Sequence, residues 1–271
     1  MKKLILLLIT LLIFTCGCSS SEENREIIIA LLDTGISSTA IKGENILAGW
    51  NYVTDNSDTE DRINHGTAVT SVIVGCDSAE ITGIAPMARI VPLVVTDKVE
   101  GNVTSISPET LAKVIRDSVD NYGASVINVS LGTKKDTPEL RSAIEYVQKK
   151  GALVIAAAGN DGDSGELYYP AAYDGVLTVG SHDKDMKISD FTQQNGRVDI
   201  LAPGEDIWLA SRNGKTYGAK GTSYSTGFVS AVAVMIWEAT PALTSEDVKN
   251  KILESTVTVD GWRILDTSDL T

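Results

Sequence analysis

Cysteine, histidine and positive charge are all scarce in this chain, and each scarcity removes a class of answer. The cysteines are Cys16, Cys18 and Cys76. The first two sit at the end of an N-terminal apolar segment, so the body of the protein retains only Cys76. An internal disulfide is excluded there, and stability must come from a hydrophobic core. Cys76 has no histidine or second cysteine nearby in sequence and reads as a small buried hydrophobe. Lys and Arg number 23 against 36 Asp and Glu, a formal net charge of -13. Such a surface repels phosphate backbones and argues against nucleic acid as a partner. A bilayer-spanning helix needs about 20 apolar residues, and the N-terminal run from Leu4 to Phe14 is only eleven long.

That run, preceded by Lys2 and Lys3, has the make-up of a signal-peptide core. It ends in Thr15-Cys16-Gly17-Cys18-Ser19-Ser20, which resembles the cleavage and lipidation site of bacterial lipoproteins. The expectation is a signal peptide over residues 1–18, with Cys18 becoming the lipid-bearing first residue of the mature chain. A polar tether follows over 19–25, then one domain over 26–271. Stable anchoring requires two acyl chains or more, and it would hold the protein on the outer face of a bacterial cell membrane. Only the tether separates the anchor from the first strand, so no amino-terminal pro-domain is expected.

Beyond the tether, 43% hydrophobic and 22% charged residues describe an ordinary globular protein. The runs Ile27 to Leu32, Ile90 to Val95, Val126 to Val129, Leu153 to Ala158 and Val176 to Val179 are continuously apolar, as strands buried on both faces are. Helices start cleanly between them. Ser107-Pro108-Glu109 precedes Leu111, Val114, Ile115 and Val119 on one face, and Thr137-Pro138-Glu139 precedes Leu140, Ala143, Ile144 and Val147. Further helices are expected from about Ser223 to Glu238, and after Thr244, whose pairing with Asp247 resembles a capping box. This alternation implies an α/β domain of three layers, with a mainly parallel central sheet and helices on both faces. Its functional groups belong at the carboxyl ends of the strands.

Asp33 stands where the first apolar run gives way to Thr34-Gly35, hence at such an end. His65, one of two histidines, opens a segment whose Ala68, Val69, Val72 and Ile73 have helical spacing. Ser223, in Gly221-Thr222-Ser223, precedes a strongly apolar stretch and falls at the entry of a buried helix, where the dipole favours negative charge. A serine hydroxyl is a weak nucleophile at neutral pH. It needs a base such as imidazole, and the imidazole needs a carboxylate to orient it.

Leu32-Asp33-Thr34-Gly35, His65-Gly66-Thr67, Ala157-Ala158-Gly159-Asn160 and Gly221-Thr222-Ser223 occur in the order and rough spacing of the subtilisin-like serine proteases. Gly83-Ile84-Ala85-Pro86, Val126 to Gly132 and Ala202-Pro203-Gly204 add to the resemblance, which covers nearly all of the chain from Glu26. It implies a serine endopeptidase in which Asp33 orients, His65 is base and acid, Ser223 attacks and Asn160 stabilises the oxyanion. It also implies that Ser130, Leu131 and Gly132 pair with the substrate backbone. Ala157, Ala158 and Gly159 would wall the pocket for the residue before the cut. Departures are Ala68, where many members have a second histidine, and Gly227, where proline is usual.

Between His65 and Pro86 the segment is short where many relatives bind calcium. The acidic stretches Asp55 to Asp61 and Asp161 to Glu166 read as solvated surface and complete no calcium-loop pattern. No cofactor or metal is expected, a structural calcium being the one exception the resemblance leaves open. The expected partners are a peptide or protein substrate and the membrane, and the expected state is a monomer. Processing of a secreted precursor peptide competes with general degradation. The rival from another class is an inactive, peptide-binding lipoprotein, which predicts damage at one of the four catalytic positions, and none is damaged. Before the cut, Asp161, Asp163 and Glu166, with Asp190 farther along, favour Arg or Lys. Against that, Tyr168 is placed near the pocket floor, where its ring would shorten the pocket and favour small residues instead, and Lys134 and Lys135 would offset the negative field.

Overall fold

The structure, a computed structural model, describes residues 26–268; the expected signal peptide, Cys18 and the tether lie outside them. Along the chain run β1 (Ile28–Asp33), β2 (Trp50–Asn51), α1 (Gly66–Val74), β3 (Gly75–Cys76), β4 (Ile81–Thr82), β5 (Arg89–Val94), β6 (Thr96–Val99) and β7 (Asn102–Ser105). Next come α2 (Pro108–Asp120), β8 (Val126–Val129), α3 (Pro138–Lys149), β9 (Leu153–Ala157), β10 (Leu177–His182) and β11 (Ile200–Pro203). The chain continues through β12 (Ile207–Ala210), β13 (Thr216–Ala219), α4 (Thr222–Ala239), α5 (Ser245–Glu254), β14 (Thr256–Val259) and β15 (Trp262–Leu265).

Nine strands form the central sheet in the order β14-β15-β11-β10-β9-β8-β1-β5-β2. Every neighbouring pair is parallel except the β14–β15 hairpin. All five expected strands belong to it. Strands β2, β11, β14 and β15 were not anticipated, because each is only two to four residues long, and β14 is not doubly buried. β2, β14 and β15 lack the continuous apolar run that marks a central strand, and that of β11, Ile200 to Ala202, is too short to stand out.

Successive residues of β1 face opposite sides of the sheet and so divide the core in two. Ile29 and Leu31 pack with α1, α4 and α5 on one side. Ala30 and Leu32 pack with α2 and α3 on the other. The expected helix starts hold, with Ser107, Thr137 and Thr244 as N-caps and a complete Thr244–Asp247 capping box. Cys76 is buried, its Sγ donating to the Ala40 carbonyl.

From β1 the chain proceeds to β5 on one side and then to β8 on the other. The carboxyl ends of β1 and β8 therefore flank the crevice at which ligands collect in open α/β sheets.

Candidate active site

Asp33 ends β1 and is 3% exposed. Its Oδ1 accepts the Thr34 amide N–H at 2.7 Å and lies 2.7 Å from His65 Nδ1. His65 is the N-cap residue of α1, and it is brought this close because Gly66 has no side chain. A Cβ there would stand 2.1 Å from the Gly35 carbonyl oxygen and 3.1 Å from Asp33 Oδ1. Burial pushes the imidazole pKa down and is the largest single influence on it. The charge of Asp33, its hydrogen bond and the more distant charge of Asp61 together outweigh burial, so the pKa rises above its ordinary value.

Asp61 was expected on a solvated acidic surface, and the structure corrects this. It is 1% exposed. Oδ1 accepts from Thr34 Oγ1 and from the amides of Ile63 and Asn64, and Oδ2 accepts from the amide and hydroxyl of Thr67, all at 2.6–2.9 Å. One carboxylate thereby ties the residues after Asp33 to the turn that delivers His65. Four donors on three residues follow Asp61 within six positions, and this local Asx-turn pattern was the signal that could have revealed it.

Ser223 is the second residue of α4 and is 5% exposed. Its Oγ donates to the Ser130 carbonyl at 3.3 Å. Ser130 in turn lines a cavity of about 250 Å³ with Asp33, Thr34, Ile63, His65, Thr96 and Leu131. The Tyr224 ring, next in chain to Ser223, packs on the His65 ring at 5.8 Å between centroids. Asp33, His65 and Ser223 thus converge on one crevice, although no hydrogen bond joins Ser223 Oγ to His65 among the described residues. In catalytic sites without substrate such a bond is commonly long and tightens in the complex.

Asn160 follows β9. Its Oδ1 accepts both the amide and the hydroxyl of Thr222 at 3.0 Å. A backbone N–H bonds only to the oxygen of the amide, so these contacts settle its orientation and turn Nδ2 away from Thr222. The Thr222 hydroxyl also accepts the Gly159 N–H at 3.3 Å. Thr222 is a positioning residue that the sequence reading quoted in a motif without giving it a role.

The expected substrate-contacting segments lie on either side. Ser130, Leu131 and Gly132 continue β8, Ala157 ends β9, and Ala158 and Gly159 follow it. Gly227, the departure from proline, sits where α4 crosses α1; a Cβ there would lie 3.0 Å from Val69 Cγ1. Among the described residues no three His, Cys, Asp or Glu side chains converge as metal ligands.

Comparison with known proteins gives consistent matches. The sequence profile of the Subtilase family matches residues 24–267. The major intracellular serine protease of Bacillus subtilis (strain 168) is 35% identical over 246 residues, which are 87% of this chain and 74% of that protein. M-protease of Shouchella clausii (strain KSM-K16) is 33% identical over 226 residues, covering 83% of this chain and 57% of the relative's length. Among solved structures, the prenylagaramide maturation protease PagA superimposes with a TM-score of 0.73 at 32% identity, over 87% of this chain and 85% of that one.

Proposed function

The chain belongs to the subtilase family of serine-type endopeptidases, and on that premise we propose that Asp33, His65 and Ser223 are its triad, with Asn160 as the oxyanion donor. The observation that carries this is the 2.7 Å contact between His65 Nδ1 and Asp33 Oδ1 at the carboxyl edge of the sheet. It fixes the imidazole tautomer, with a proton on Nδ1 and a basic Nε2.

Catalysis then runs as follows. A substrate strand adds to the edge at Ser130–Gly132. Ser223 Oγ rotates from the Ser130 carbonyl towards His65 Nε2, and that carbonyl becomes free to accept a substrate N–H. Oγ attacks the scissile carbonyl carbon as Nε2 takes its proton, and Asp33 stabilises the imidazolium. The carbonyl electron pair moves onto oxygen, where Asn160 Nδ2–H and the Ser223 N–H meet the charge. Collapse breaks the C–N bond, and the amine leaves with the proton from His65. Water, deprotonated by His65, then hydrolyses the acyl-enzyme and restores Ser223.

We further propose that the enzyme acts at the outer face of the cell membrane, anchored through Cys18, and that it processes a precursor peptide. The lipoprotein-like sequence around Cys18 supports anchoring, and no helix among the described residues is long and apolar enough to cross a membrane. The likeness to PagA, a maturation protease at 32% identity, supports processing. The test is to compare new peptide N-termini at the surface of cells making the wild type, Ser223→Ala or Cys18→Ser. One or a few cleavages should vanish with Ser223→Ala, and Cys18→Ser should release the protease from the membrane fraction. Broad loss of many cleavages would contradict processing, and continued membrane association of Cys18→Ser would contradict the anchor.

A further inference from the structure

We propose that the Tyr168 ring closes the pocket for the side chain preceding the scissile bond, so that this enzyme cuts after glycine, alanine or serine. The inference rests on the triad reading and deepens it. Strands β8 and β9 run in register as far as Val129 opposite Ala156. Beyond that pair the chains continue as Ser130–Gly132 and Ala157–Asn160, and the gap between them opens beside the nucleophile. One side of the gap touches Ser223 Oγ through the Ser130 carbonyl. The other side is tied to the residue before Ser223 through Asn160 and Gly159. An acyl carbon on Ser223 Oγ, with its oxygen towards Asn160 and its chain along Ser130–Gly132, directs the preceding side chain into that gap.

Both walls are glycine at this level, and the Tyr168 ring lies between them. A Cβ on Gly132 would stand 3.2 Å from Tyr168 Cδ1, and a Cβ on Gly159 would stand 3.3 Å from Cδ2. Opposite ring edges therefore face opposite walls, with little room for a side chain on either glycine. Three contacts hold the ring there. Tyr169, next in chain, exchanges two backbone hydrogen bonds with Thr133 at 2.8 and 2.9 Å. The Tyr168 hydroxyl donates to Asp161 Oδ2 at 2.5 Å. The Lys134 ammonium lies 5.4 Å from the ring centroid.

The same contacts weaken the argument for a cationic residue before the cut. Asp161 and Glu166 are each about half exposed and are already engaged, Asp161 by Tyr168 and by Lys134 at 3.7 Å, and Glu166 by Lys134. Solvated, paired carboxylates at a rim discriminate weakly. A ring occupying the space discriminates by volume, and even one extra methylene in a closed pocket is worth roughly 10- to 200-fold.

The experiment is kcat/KM for matched peptides carrying Gly, Ala, Leu, Phe or Arg before the cut, with the wild type, Tyr168→Gly and Tyr168→Phe. The wild type should favour Ala over Leu, Phe and Arg by tenfold or more. Tyr168→Gly should raise the Phe-to-Ala ratio at least tenfold, whereas Tyr168→Phe, which keeps the ring, should preserve the preference for Ala. A wild type that prefers Leu, Phe or Arg overturns the proposal, as does a ratio that Tyr168→Gly leaves unmoved. Labelling by a small fluorophosphonate, which carries no side chain before a cut, separates the two readings. A labelled enzyme that prefers bulky residues sinks the Tyr168 proposal alone, and an unlabelled one counts against the triad beneath it.

Discussion

His65 receives opposing influences from its surroundings, and under the proposed triad their balance sets the pH range of the enzyme. Burial favours the neutral ring, but the Asp33 contact with help from Asp61 prevails and raises the pKa. The general base must be neutral to accept the Ser223 proton, so activity falls as pH drops through that raised value. The acid limb of kcat/KM in the wild type is therefore expected above the ordinary histidine value of about 6.5. In Asp33→Asn the charge is gone while burial remains, and the limb should move to lower pH. The rate should also fall on the order of 10⁴-fold, because the tautomer is no longer enforced. Profiles of kcat/KM from pH 4 to 10 check both effects, and an unmoved or raised limb in Asp33→Asn would contradict the assignment.

Elements, more than single residues, deliver the site. β1 ends on Asp33, α1 begins after His65, β9 leads to Asn160 and α4 begins beside Ser223. The joint between β1 and α1 is the tightest of these, since Gly66 leaves no room for a Cβ beside the Gly35 carbonyl. Gly66→Ala should force β1 and α1 apart, with a loss of about 1–3 kcal/mol of stability from overpacking and a marked drop in kcat. Thermal unfolding and peptide hydrolysis measure the two, and an unchanged Tm with full activity would show that the joint tolerates spreading.

The same elements explain what was readable in advance. Five doubly buried strands, three capped helices and the four proposed catalytic positions are local patterns, each carried by a few consecutive residues. Asp61 looked like surface because its neighbours Asp55 and Asp58 are charged and exposed. Its burial depends on partners such as Thr34, 27 residues away. Tyr168 was legible as a ring near the pocket floor, but the contacts of Thr222 and Tyr168 were not, because they depend on Asn160 and on two glycines that follow different strands.

At the scale of the whole molecule, two core layers on a nine-stranded sheet support one crevice at the strands' carboxyl edge. The proposed catalytic groups come from sequence positions as far apart as Asp33 and Ser223, so only the completed sheet assembles them. Neither the fold nor the crevice depends on the Ser223 hydroxyl, whose one hydrogen bond goes to a carbonyl at 3.3 Å. The most direct test of the account is peptide hydrolysis by Ser223→Ala against the wild type, with thermal unfolding of both. The account predicts a cooperatively folded variant with kcat reduced on the order of 10⁶-fold, the size of loss found for the nucleophile of subtilisin itself. A folded variant that keeps wild-type kcat would contradict it.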